Sequence, residues 1–130
     1  MSAFEALRIA NTALGAHQVW IDALAGNIAN ANTAKPTSGA AFQATHVVMA
    51  GRPDGGVDVA GFATTDPQGV MVHDPNSPLA DAEGYVRMPA MDMASEMSQL
   101  VMAQRGYQAS VQVTKTAQDT YSAALQIGNR

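Results

Sequence analysis

The chain contains no cysteine, and only 14% of its 130 residues are charged and 5% aromatic. Without cysteine it forms neither a disulfide scaffold nor a cysteine-bearing metal site. The charged fraction lies well below the usual ~25%, and a net charge of −4 excludes the basic footprint of nucleic-acid-binding proteins. Because aromatic side chains supply much of the area buried in a small core, their scarcity predicts that a single compact core would be thin.

Long apolar runs are also missing from the sequence. No stretch approaches the ~20 apolar residues that a membrane-spanning helix needs. The first residues, MSAFEALRIANTALG, have no basic segment followed by a continuous apolar one, so we expect no cleaved secretory signal. We therefore expect either a cytoplasmic protein or one that is exported by a route that does not use such a signal.

Apolar residues recur at heptad spacing at both ends of the chain. We call these two ends the first and the second arm. In the first arm the repeat consists of Leu7, Leu14, Ile21 and Ile28, with Leu24 between the last two. In the second arm the seam includes Met97, Leu100, Tyr107, Val111, Tyr121 and Leu125. A 3-4 spacing held over about four heptads in one arm and five in the other is typical of a coiled-coil seam.

The limits of both helices follow from capping and breaking residues. Ser2 and Glu5 form a capping box that would start the first helix at Ala3, and we expect its asparagine-rich end to fray. Asp92 is the predicted N-cap of the second helix and Gly128 its stop. At ~1.5 Å per residue the helices would be about 43 and 50 Å long, beyond the ~36 Å diameter of a globule of this length. We expect them to project side by side from the segment between them.

The segment between the helices has strand and turn signals. The predicted strands are Phe42–Ala50, Val57–Thr65, Val70–His73 and Tyr85–Met88. The predicted fold is therefore α+β and predominantly helical. Its parts are an N-terminal coiled-coil helix (1–33), a small β-rich segment (34–91) that carries most of the acidic residues, and a C-terminal coiled-coil helix (92–130). The two helices would form one α-domain.

The outer faces of both arms carry few charges, unlike a solvated coiled coil, which places Glu and Lys beside its seam. We infer that neighbouring subunits cover these faces and that the protein is an assembly part, not an enzyme, without cofactor or metal. One alternative is a coiled-coil adaptor or export chaperone. Another is a small metal-dependent enzyme using His46, His73 and an acid, although the sequence has no short metal-ligand motif.

Two segments carry a resemblance to a known family. Residues 24–33, LAGNIANANT, resemble the signature of bacterial flagellar axial proteins, the rod and hook family. Residues 74–89, DPNSPLADAEGYVRMP, together with RGYQA at 105–109, are similar in particular to proximal-rod members of that family. The residues that match the motifs are Asn27, Asn30, Asn32, Thr33, Gly84, Tyr85 and Val86.

The resemblance implies a structural subunit of the flagellar basal-body rod, which polymerises helically in the proximal rod and transmits motor torque. Its partners would be copies of itself, other rod proteins and, in transit, the flagellar export apparatus. It would lie in the periplasmic rod, exported without a cleaved signal peptide. The resemblance implies no nucleic acid, no small-molecule substrate and no membrane span.

Overall fold

The computed structural model describes residues 3–128, the side chain of Ala3 excepted, and its elements run helix, four strands, helix. The helices are α1 (Ala3–Asn30) and α2 (Met93–Gly128); the strands are β1 (Thr45–Gly51), β2 (Val57–Thr64), β3 (Val70–His73) and β4 (Tyr85–Met88). The predicted α+β, predominantly helical architecture is confirmed. No helix in residues 3–128 is long and apolar enough to cross a membrane.

Asp92 caps α2 as predicted. Its carboxylate accepts hydrogen bonds from the backbone N–H groups of Ala94 (3.3 Å) and Ser95 (3.1 Å), which have no partner within the helix. The capping box predicted for α1 includes Ser2, which lies outside the described residues. The predicted fraying of α1 is wrong, because the helix is regular to Asn30 and Asn27 is fully buried.

The two helices pack against each other in antiparallel orientation. Asn27 near the end of α1 contacts Glu96 at the start of α2, and the ring of Phe4 packs edge-on against Tyr121 with centroids 4.9 Å apart. Beyond Tyr121, residues 122–128 of α2 extend past the described part of α1 and are all exposed. We call these seven residues the C-terminal overhang.

Half of the predicted α2 seam is displaced by one residue. Leu100 and Tyr107 are partly buried as expected, whereas Met97 and Val111 are exposed. The positions that face α1 in their place are Glu96, Ala103, Ser110 and Ala117. Ala103, Ser110 and Ala117 have small side chains, which let the helices approach closely, whereas the larger Met97 and Val111 are left outside the seam.

Two separate antiparallel hairpins fill the middle of the chain. Strands β1 and β2 pair from Thr45↔Thr64 to Gly51↔Val57, with a bulge between Val48 and Met49. The ladder begins at Thr45, not at Phe42 as predicted. The preceding residues face Thr65 and Pro67, and Pro67 lacks the N–H that a continued ladder would need. Strands β3 and β4 form the second hairpin.

The β1–β2 hairpin lies along α1. Thr45 at one end is held by Asn27, the N–H of Val57 donates to Oγ1 of Thr12 (3.1 Å), and the turn reaches Arg8. From Arg8 to Asn27 the contact spans about 28 Å of helix. The prediction that both helices project from the strand segment is therefore wrong for α1, which is covered by α2 on one side and by the hairpin on another.

Candidate functional site

Asn27 joins three elements of the fold. Its side-chain Nδ2 donates to the carbonyl of Thr45 (2.9 Å), and its Oδ1 accepts from the N–H of the same residue (2.8 Å), as a neighbouring strand would. The second N–H of Nδ2 donates to Oε2 of Glu96 on α2 (2.9 Å). Asn27 is 1% and Glu96 3% exposed. All the polar groups of this amide are therefore paired, and α1, β1 and α2 are fixed to one another.

The other motif residues at this end close the helix. The side chain of Asn30 donates to the carbonyl of Gly26 (2.9 Å) and accepts a weaker bond from the hydroxyl of Thr33 (3.3 Å). The N–H of Thr33 donates to the carbonyl of Asn30 (3.0 Å). Asn32 is exposed. Asn30 thus bonds a carbonyl at the helix end and Asn27 holds the adjoining strand, so these two residues shape the junction between α1 and the middle segment.

Gly84, Tyr85 and Val86 shape the turn into β4. Gly84 has φ +82°, and a Cβ there would press on the imidazole of His73. Tyr85 packs edge-on against His73 with ring centroids 5.1 Å apart, whereas Val86 is buried. The turn is closed by Asp81, whose carboxylate accepts the N–H of Tyr85 (2.8 Å). That hydrogen bond lowers the pKa of Asp81 below its usual range.

Arg87 ties the linker after α1 to the second hairpin, a role that sequence reasoning missed. The N–H of Lys35 donates to the carbonyl of Arg87 (2.8 Å), and the N–H of Arg87 donates to the carbonyl of Lys35 (2.9 Å). The guanidinium of Arg87 donates to the carbonyl and side chain of Gln68 (both 2.7 Å) and to the carbonyl of Thr37 (2.8 Å). The planar guanidinium suits this forked arrangement, so one side chain fixes both the linker and the β2–β3 loop.

An exposed charge cluster holds the tip of the first hairpin against α1. Arg8 donates to the Asp54 carboxylate (3.0 Å) and to nearby backbone carbonyls, and Arg52 bonds both Asp54 and Asp58. The hydrogen bond from Arg52 is the main cause that lowers the pKa of Asp54. These ion pairs orient the turn. They contribute little to stability, because the charged groups are exposed to solvent.

The residues predicted to form an assembly interface divide into two groups. Leu24 is buried inside the chain, and a larger set is partly buried: Leu7, Leu14, Ile21, Ile28, Leu100 and Tyr107. The exposed set is Met97 (52%), Val111, Tyr121 and Leu125. Further large apolar side chains that the heptad prediction did not select are also exposed: Phe4, Val101, Met102, Val113 and Ile127 on the helices, and Val48, Phe62 and Val70–Val72 on the hairpins.

A shallow apolar groove of about 340 Å³ runs between the helices. It is lined by Ala6, Ile9, Ala10 and Ala13 of α1 and by Ala109, Ser110 and Val113 of α2. Because most of these side chains are small, the surface there is concave, and none of them is charged. We call this surface the interhelical groove.

The three histidines lie apart along the fold. Nδ1 of His17 on α1 lies 2.8 Å from the carbonyl of Ala13. His46 lies on β1, beside Trp20 and Gln99, and His73 lies on β3. Within residues 3–128 the structure forms no group of three or more His, Asp or Glu side chains arranged to hold a metal ion. The cluster of His46, His73 and an acid that the enzyme alternative required is therefore not formed.

The chain is similar to known proteins over most of its length. Residues 82–127 match the family described as "Flagellar basal body rod FlgEFG protein C-terminal". A protein of Salmonella typhimurium named "Flagellar basal-body rod protein FlgC" is 35% identical, over 92% of this chain and 93% of its own length. Proteins of the same name from Yersinia enterocolitica (36% identity; 98% and 99% covered) and Bacillus subtilis (30%; 98% and 99%) also match.

Proposed function

The chain belongs to the FlgC family of flagellar basal-body rod proteins, and we propose that it is a structural subunit that polymerises helically in the proximal rod. In this role it has no catalytic residue and needs no cofactor. The adaptor and export-chaperone alternative finds no support among the three relatives named above, which carry the rod-protein name.

The observation that carries the proposal is the large apolar surface that α2 leaves uncovered. Met97, Val101, Met102, Val111 and Val113 are each more than two-fifths exposed. Met97 and Val111 lie on one flank of the seam, and Met102 and Val113 lie on the other. Within 93–128, α2 carries only Glu96, Arg105, Lys115 and Asp119 as charged residues. Monomeric soluble proteins rarely expose so many apolar side chains on one helix, whereas neighbouring subunits in a polymer would bury them.

The interior contacts suit a subunit that transmits torque. Arg8, Thr12 and Asn27 fasten the first hairpin along α1, and α2 packs on another side, so that the three elements move as one body. We propose that α1 and α2 face the inside of the rod and the acidic middle segment faces outward. The partners are other copies and other rod proteins. We further propose that the chain reaches the periplasmic rod through the flagellar export apparatus, without a cleaved signal peptide.

The proposed interface retains the residues predicted from the heptads, now in two roles. Leu7, Leu14, Ile21, Leu24, Ile28, Leu100 and Tyr107 shape the paired helices that present the interface. Met97, Val111, Tyr121 and Leu125 contact neighbouring subunits directly. Heterologous contacts, in which different patches of two subunits meet, would generate an open helical polymer.

The proposal is tested by a charge placed on the exposed surface of α2. Val111→Asp should leave the monomer folded, since Val111 is 44% exposed, but should abolish rod assembly and swimming when it replaces the native chain. The matched control is Gln112→Asp. Position 112 lies seven residues from both Arg105 and Asp119, on a stripe of α2 that already carries charge. Cells that make the Gln112→Asp chain should therefore assemble rods and swim. Circular dichroism of both monomers verifies folding. Normal rods and motility with Val111→Asp would contradict the proposal.

A further inference from the structure

Two uncovered apolar surfaces of opposite shape lie at different heights along α2. The interhelical groove is concave and is lined mainly by alanines, with Ile9 and Val113 at its sides. The C-terminal overhang is a convex stretch of helix that extends beyond the described part of α1. Its sequence, SAALQIG, contains no charged residue, and it exposes Leu125 (53%) and Ile127 (77%).

The overhang continues the seam between the helices, and all seven of its residues are exposed. Tyr121 is the last seam residue that meets α1, through the ring of Phe4. Leu125 follows one turn later and no described residue of α1 lies beside it, so a face that is covered further up the helix becomes exposed. A surface that continues an existing helix–helix interface and carries the same small and apolar residues is suited to another helix pair of the same kind.

We propose that the C-terminal overhang of one copy docks in the interhelical groove of a second copy. The inference rests on the proposed rod function and names one of its contacts. Donor and acceptor surfaces are different patches of the chain, so each copy that donates its overhang keeps its own groove free for the next copy. The contact therefore propagates and does not close into a dimer.

The size of the contact explains why it would act only in the polymer. Two turns of helix bury far less than the roughly 1,600 Å² of a standard stable interface. A pair of free monomers would therefore not be held by it. Within a rod each copy makes the contact twice, once as donor and once as acceptor, and neighbouring subunits hold the partners in place.

The absence of cysteine allows a direct test by disulfide formation. A chain carrying Val113→Cys and Ile127→Cys is expressed in place of the native chain, and basal bodies are purified and oxidised. The two positions lie 14 residues apart on one helix, about 21 Å, so a disulfide between them within one chain is sterically excluded. The expected result is a ladder of dimers and larger multiples on a non-reducing gel, which collapses to monomer on reduction.

The matched control replaces Gln104 and Ile127 by cysteine. Gln104 is nine residues before Val113, which places it on the opposite face of α2, and it is also exposed. This chain should remain monomeric on the gel. Assembled basal bodies that yield only monomer with Val113→Cys/Ile127→Cys, or the same ladder with the control, would overturn the docking. If the first pair of substitutions prevents assembly, the pair Ala109→Cys and Leu125→Cys tests the same docking with the same gel. Complete basal bodies from unmodified cells that contain no copy of the chain would instead contradict the rod function.

Discussion

The imidazole of His17 on α1 lies directly against Gly106 on α2. A Cβ placed on Gly106 would overlap the His17 ring, so glycine is required here by the neighbouring helix and not by its own backbone conformation. This contact lies midway along the helix pair. It fixes how closely the helices approach and which residues of α2 face α1.

The first prediction concerns this pair. Gly106→Ala should lower the free energy of unfolding by about 1–3 kcal/mol, because the added methyl group overpacks against His17. In a His17→Ala background the same change should become neutral or stabilising by up to about 1 kcal/mol, since alanine favours the helix more than glycine. Urea unfolding followed by circular dichroism measures the four variants of this cycle. An equal effect of Gly106→Ala in both backgrounds would contradict the contact.

The second prediction concerns the buried amide of Asn27. Asn27→Ala removes three hydrogen bonds and leaves Glu96 without this donor, so we expect a loss of about 3 kcal/mol in the free energy of unfolding. Asn32→Ala, in the same motif but exposed, should change it by less than about 0.5 kcal/mol. Urea unfolding compares the two. Equal effects would mean that Asn27 does not hold the junction.

The third prediction is the pH dependence of the turn into β4. The hydrogen bond from the Tyr85 N–H lowers the pKa of Asp81 in the folded protein. The ionised carboxylate therefore contributes its full stabilisation of the folded state above the unfolded pKa of about 3.9. That stabilisation is lost as the pH falls through the lower folded pKa. The Tyr85 amide resonance should therefore titrate with a midpoint below about 3.9 in NMR spectra. Asp81→Asn, which keeps an acceptor oxygen, should remove that titration. A midpoint at or above the unfolded value would refute the assignment.

The fourth prediction concerns the link that Arg87 makes between the linker and the second hairpin. Arg87→Lys cannot reach Gln68 and Thr37 together, because a single ammonium replaces a planar fork. Hydrogen–deuterium exchange in residues 34–41 should become faster by about tenfold, corresponding to about 1.4 kcal/mol. Arg52→Lys, in the exposed cluster at the tip of the first hairpin, serves as the control and should leave that segment unchanged. Unchanged exchange with Arg87→Lys would show that the linker is held elsewhere.

Local signals in the sequence were enough to predict the elements of the fold. Heptad spacing and the Asp92 cap located both helices, and alternation between turn residues located β2, β3 and β4. The asparagines were misread as helix-weakening because intrinsic propensity does not include tertiary partners. Asn27 is stable inside a helix only because Thr45 and Glu96 pair with it, and those residues lie 18 and 69 positions away.

The packing of the helices was harder to predict than their existence. A heptad prediction favours large apolar residues, and it therefore placed Met97 and Val111 in the seam. In the structure Ala103 and Gly106 occupy the seam, because small residues let the two helices approach closely. The sequence of α2 alone does not show this, since the need for glycine at position 106 comes from His17 on the other helix. The positions of the exposed apolar residues follow from that shift. Their role as an assembly interface stays a prediction.

The most direct test of the rod-subunit role is electron cryomicroscopy of basal bodies purified from cells that make this chain. We expect to find the chain in the proximal rod, with α1 and α2 inside, the two hairpins outside, and Met97, Val111 and Leu125 buried against neighbouring subunits. A complete proximal rod that contains no copy of the chain would contradict the function. A rod in which those three side chains face solvent would contradict the proposed interface.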